Sequence, residues 1–149
     1  GNDASTATSI VIRSEIVGPV GASDLSARTL IVLGQTVDVT ATTVFDASLS
    51  GGQAALAVGD VVEVYASVDA ATGHYVATRI ERKTSVAAFA LRGIVANLDT
   101  AARTFSIGAT RIGYAGIASA NVAPTLASGS CSAARTPSEP WNLMLFALR

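Results

Sequence analysis

In the stretch "IVIRSEIVGPV" the apolar side chains return at every second position. Ile10, Ile12, Ile16 and Val20 share one face, with Ser14 and Gly18 in the slots between them. A period of two belongs to a strand with one face buried and cannot be laid along a helix, whose faces repeat near 3.6. The same alternation recurs at Leu30 and Val32, at Val37 and Val39, at Val62, Val64, Ala66 and Val68, and at Val76 and Ile80. β-Branched residues dominate these runs, which suits a pleated surface. The chain is therefore expected to be all-β.

The residues between the runs turn the chain. Gly34-Gln35 is read as a two-residue hairpin loop, because glycine at the first central position permits the positive φ of a type II′ turn. "DAATG" at 69–73 places an Asp that can bond its own downstream backbone before a Gly that can turn left-handed. Gly18 and Gly21 mark a bulge where the first strand bends to close a small barrel. Five strands follow from this, at about 10–21, 29–34, 36–45, 61–69 and 74–82, with a short helical turn in "DASLSGGQAALAVGD". Residues 1–9 read as a flexible polar lead-in, and the start at Gly1 reads as an engineered or processed one.

The chain then says nearly the same thing again. Aligning Gly18 with Gly93 sets Val20 on Val95, Asp24 on Asp99, Arg28-Thr29 on Arg103-Thr104, Leu30 on Phe105, Val32 on Ile107, Val37 on Ile112 and Val39 on Tyr114, without a gap. Every core-facing position stays apolar. The period exceeds the roughly 20–50 residues of a solenoid unit, so the expectation is a duplicated domain. A first β-barrel repeat at 10–82, a linker at 83–88 and a second repeat at 89–149 divide the chain.

"LIVLGQTVDV", "LAVGDVVEVYA" and "GHYVATRIE" together resemble a tandemly repeated domain of unknown function of bacterial exported proteins, often lipoproteins. The resemblance spans nearly all of residues 14–82 and about half of the second copy. It implies two tandem small antiparallel barrels similar to the oligonucleotide/oligosaccharide-binding (OB) fold, and an exported, periplasmic or envelope-associated protein. It implies no activity.

The second copy departs from the first after Gly129. "SCSAARTPSEPWNLMLFALR" stands where the first unit has a full hairpin, and its prolines remove ladder donors. The second barrel is thus incomplete, or completed by an atypical tail from 131. Trp141, Leu143 and Leu145 alternate after Pro140 and could supply a strand. A neighbouring molecule could instead fill the open edge of the second repeat, giving a homodimer. A truncated or out-of-frame end is the third reading.

Chemistry is sparse. Charged residues are only 14% of the 149, net charge is −1, and the cations form no stripe that would attract polyanions. No apolar run reaches the roughly 20 residues of a spanning helix. Cys131 and His74 are each the lone residue of their type, so structural zinc is excluded and no cofactor or metal is expected. His74 has Asp69 near it in sequence but no serine in a strained elbow, and is read as an exposed turn histidine. Asp69, Asp24 and Asp99 are read as turn formers. Tyr65, Tyr75 and Tyr114 are the candidate outward aromatics, and Arg79, Arg82, Lys83 and Arg92 the nearest basic cluster. The charge balance disfavours nucleic acid.

Complete strand patterning without a catalytic constellation, together with the export that the resemblance implies, leads to the expectation of a non-enzymatic exported β module with a binding or envelope role. The alternative is binding of a small ligand, oligosaccharide or oligonucleotide on an open barrel face at Tyr65, Tyr75 and Arg79.

Overall fold

β1 (Ile16–Asp24) buries Ile16, Gly18 and Val20 on one side and then passes a bulge at Gly21, where its register against β2 (Thr29–Val32) slips by one residue. The computed structural model describes residues 13–115, 130–135 and 143–147; Ile10, Ile12, the 1–9 lead-in, Pro140 and Trp141 lie outside the described residues. β2 turns into β3 (Gln35–Phe45), and β4 (Val61–Val68) and β5 (Tyr75–Lys83) follow. The pairing runs β1-β2-β3-β5-β4 and returns to β1, which closes a five-stranded barrel. Only the β3–β5 seam is parallel. Closure removes the exposed edges that five separate strands would leave.

The barrel interior is aliphatic: Ile16, Leu30, Val32, Val37, Val62, Val64 and Ile80 are wholly buried. Two 3₁₀ segments, Ala47–Leu49 and Gly52–Ala55, seal one end with Leu49 and Leu56. Between them, buried Gln53 reaches back to the β1–β2 turn. Its amide donates to the carbonyls of Asp24 at 3.0 Å and Thr29 at 2.9 Å. A buried acceptor stripped of its donor carries a desolvation penalty, so Gln53→Ala is expected to cost about 1–3 kcal/mol. The check is a lower urea midpoint at unchanged m-value.

Two local expectations need correcting. The first hairpin loop is Leu33-Gly34, not Gly34-Gln35: both residues have positive φ, 51° and 76°, as a type I′ turn requires, and Gln35 opens β3 opposite Val32. The Leu33 side chain lies over Gly18, where a Cβ would stand 2.5 Å from Leu33 Cγ. The second correction concerns β5. Tyr65 pairs with Arg79 but Ala66 pairs with Ala77, which leaves Thr78 as an extra residue. The bulge exchanges the two faces, so Tyr75 and Ala77 point inward before it and Ile80 after it. Tyr75, expected outward, is 2% exposed.

β6 (Phe89–Asp99), β7 (Thr104–Ile107) and β8 (Thr110–Gly113) reproduce the pairing of the first three strands 75 positions later. Val20↔Val32 becomes Val95↔Ile107, Asp24↔Thr29 becomes Asp99↔Thr104, and Leu30↔Val37 becomes Phe105↔Ile112. The turns agree as well. Arg28 and Arg103 have φ of 55° and 52°, and their carbonyls accept from Val39 N and Tyr114 N at 2.8 Å each.

β9 (Ser130–Arg135) pairs with β6, and β10 (Leu143–Ala147) pairs with β9. Of the second repeat's edges, that of β6 is taken by β9, as β4 takes that of β1. Among the described residues no ladder joins β8 to β10, so closure is seen for the first barrel alone. Among the described residues Leu91, Phe105, Ile107 and Ile112 belong to one contiguous buried cluster with the barrel residues. β6 explains this, because its first residues pair with β1 at Ile16 and Val17 and bring β7 and β8 against the barrel.

Candidate functional site

The outer face of β4 and β5 carries two of the three predicted ligand-binding residues. Tyr65 stands directly opposite Arg79, Glu63 opposite Glu81, and Val61 opposite Lys83. Two carboxylates facing each other across a ladder repel. Lys83 resolves the conflict by reaching both, with Nζ 2.7 Å from Glu63 and 2.8 Å from Glu81. Arg79 Nε donates to Glu81 at 2.6 Å. Hydrogen bonds from Lys83 and then Arg79 lower the pKa of Glu81. Tyr65 is half-buried, and burial followed by the two glutamates raises its phenol pKa, so it stands here as a neutral donor.

The third predicted residue is elsewhere. Tyr75 is packed in the core and its hydroxyl donates to the Arg92 carbonyl at 2.8 Å, which fastens β5 to β6. Burial pushes its pKa up to about 12, with Glu15 adding to the effect. Tyr114 is half-buried, its ring 6.0 Å from that of Phe105.

The basic cluster does not form one groove. Arg82 turns toward the 3₁₀ end, where Nη2 donates to Asp60 at 2.8 Å and to the Ala55 carbonyl, while its backbone N–H donates to Asp46 at 2.6 Å. Arg92 sits at the β1–β6 seam, 3.8 Å from Glu15. With Arg79 and Lys83, all four cations have a carboxylate of their own chain within 4 Å. Such pairs add little stability at a surface. They do reduce the charge offered to a phosphate backbone.

His74 follows the 69–73 turn, as predicted, but it is half-buried instead of exposed, and its Nδ1 lies 3.1 Å from Asp38 on β3. The parallel β3–β5 seam brings that pair together. Asp69 serves the turn, accepting from Ala71 N at 2.8 Å. Asp24 and Asp99 likewise accept backbone N–H groups of their own turns. Among the described residues Asp38 is the only side-chain hydrogen-bond partner of the imidazole, and no three metal-ligating side chains gather. No described helix is long and apolar enough to cross a membrane.

An open hollow of about 400 Å³ lies on β6–β8, lined in part by Asn97, Asp99, Thr104, Ser106 and Arg111. Its polar groups bond chiefly to one another, Asn97 to Ser106 at 2.9 Å and Arg111 to Thr104 at 3.2 Å.

The boundaries of the barrel coincide with a recognised unit. Residues 17–81 match DUF5666, a domain of unknown function. No curated protein and no solved structure matches the chain. The DUF5666 segment starts one residue into β1 and ends two residues before the end of β5, so the matched segment spans the closed barrel.

Two buried polar side chains that tie strands together carry little signal in the sequence. Gln35 and Gln53 are both buried, and their only advance signal is a long amide inside an otherwise β-branched or small-residue context.

Proposed function

We propose that this chain is a non-enzymatic β-barrel module of bacterial exported type, built from two units of one OB-like design, which serves as a binding or envelope scaffold. The observation that carries the reading is the disposition of polar groups: an aliphatic barrel interior, and an outer cluster of cations, Arg79, Arg82, Lys83 and Arg92, already matched by carboxylates of the same chain. Support for the OB-like design is the strand order closing through a parallel β3–β5 seam, with a short helical plug between β3 and β4. Support for duplication is the recurrence of strand register and left-handed turn residues 75 positions apart. Export rests on the sequence resemblance, and fractionation of cells expressing the whole natural gene tests it.

A second reading places a small ligand or oligosaccharide against Tyr65 and Arg79, favoured by their direct cross-strand apposition. Thermal-shift measurements separate the two. The full chain is expected to keep its Tm in oligosaccharides and in short single-stranded DNA at low salt. A shift abolished by Tyr65→Ala and Arg79→Ala establishes the ligand reading instead. Substrate turnover lost in His74→Ala overturns the non-enzymatic one.

A further inference from the structure

We propose that the surface by which the barrel holds β6–β8 is a self-complementary docking interface, and that its partner is a second unit of the same kind, including one carried by another copy of this chain. The inference rests on the duplication reading and adds to it the contact the duplicates make.

Equivalent residues meet each other at two separate places. β1 and β6 run antiparallel and pair at Ile16↔Leu91, which are the same position of the two units. The flanking contacts are reciprocal. Val17 pairs with Ala90, the counterpart of Glu15, while Arg92, the counterpart of Val17, donates its backbone N–H to the Glu15 carbonyl at 2.8 Å. At the hairpin tips Gln35 Nε2 donates to Thr110 Oγ1 at 2.8 Å, again one position in two copies. Each tip also bonds a carbonyl of the other: Gln35 that of Ile107 at 2.8 Å, Thr110 that of Leu33 at 2.7 Å.

Two self-contacts of this kind define a local two-fold axis, and reciprocity about such an axis is the signature of an isologous interface. The seam is built to close. Ile16, Leu91 and Gln35 are buried, and glycines on each tip allow the approach. A Cβ on Gly34 would stand 2.7 Å from Thr110 Oγ1, and one on Gly108 would run into Gln35 Oε1. The units are also made unlike at this axis. Glu15 faces Arg92 within the chain, whereas two barrels would set Glu15 against Val17. That difference favours the intrachain partner and leaves a second copy as the competitor.

The test uses the full chain with Cys131→Ser. The parent is expected to be monomeric by sedimentation equilibrium. Leu91→Asp places a carboxylate in the buried seat, undocks β6–β8 and exposes the barrel surface, so this variant is expected to dimerise. With Ile16→Cys added, diamide oxidation should link the two position-16 thiols, since residues on the axis face their own copies and directly paired strand residues lie within disulfide reach. A folded Leu91→Asp chain that stays monomeric up to about 1 mM protein, where even an interface of millimolar Kd is substantially occupied, overturns the proposal, as do dimers that do not cross-link at position 16. Should Leu91→Asp not fold, Ile16→Cys with Leu91→Cys, refolded from urea over rising protein concentration, decides: a growing interchain 16–91 product supports exchange between copies, and an intrachain product at every concentration overturns it. Failure of duplication would look different, as a strand register in residues 89–113 that departs from the 75-residue offset.

Discussion

Phe105→Ala is expected to destabilise the whole described fold by about 3–5 kcal/mol, in one cooperative transition. Phe105 is 1% exposed and its ring tilts against Tyr114 at 36°. Its counterpart in the first unit is Leu30, wholly buried, for which Leu30→Ala should cost about 2–5 kcal/mol. What matters is where the two losses appear. Both side chains lie in one contiguous cluster that also contains Ile16, Leu91 and Tyr75. Each substitution should therefore shift the same urea midpoint, followed by far-UV circular dichroism and by tyrosine fluorescence with coincident curves. Two transitions, one moved by Phe105→Ala and the other by Leu30→Ala, would restore the picture of two barrels with separate interiors.

The sequence leads to two tandem barrels, and the described residues show closure of the first. Strand periodicity, glycine punctuation and the 75-residue echo depend on local rules, and they are enough to read β1–β5 to within a few residues, apart from the start of β1. They also give the registers of β6–β8. What local rules cannot see is a partner. Glu63 and Glu81 look like ordinary exposed residues until the β4–β5 register sets them opposite each other and Lys83 between them. His74 and Asp38 are brought together by a parallel seam between strands that are not adjacent in sequence. The inward turn of Tyr75 follows from one extra residue, Thr78, whose hydroxyl donates to the Tyr65 carbonyl at 3.0 Å. Alternation carried across a bulge assigns the wrong face, which is how a core side chain came to be expected on an open surface.

Tyr75 also makes the seam between barrel and β6 sensitive to alkali. Its pKa is raised from 10.0 to about 12, by burial first and by the Glu15 charge second. Below pH 10 the phenol is protonated in folded and unfolded chains alike, and its contribution to stability is fully present. Between 10 and 12 the unfolded chain releases this proton while the folded chain keeps it, so the folded state binds more protons and stability falls as pH rises. Two pH units at 1.36 kcal/mol each make the loss about 2–3 kcal/mol by pH 12. Tyr75→Phe should behave in the opposite sense. At pH 7 it leaves the Arg92 carbonyl without its donor and should be less stable than the parent by about 1–2 kcal/mol. Above pH 10 it has no phenol to lose at this position, so the deficit should shrink and reverse. Tyr65 is raised too and remains in both proteins, so taking the difference between them removes its share. Urea unfolding of both chains from pH 7 to pH 12 reads this out. A constant gap across that range would mean that the hydroxyl at position 75 meets solvent, and that the bond holding β5 to β6 is not the one described.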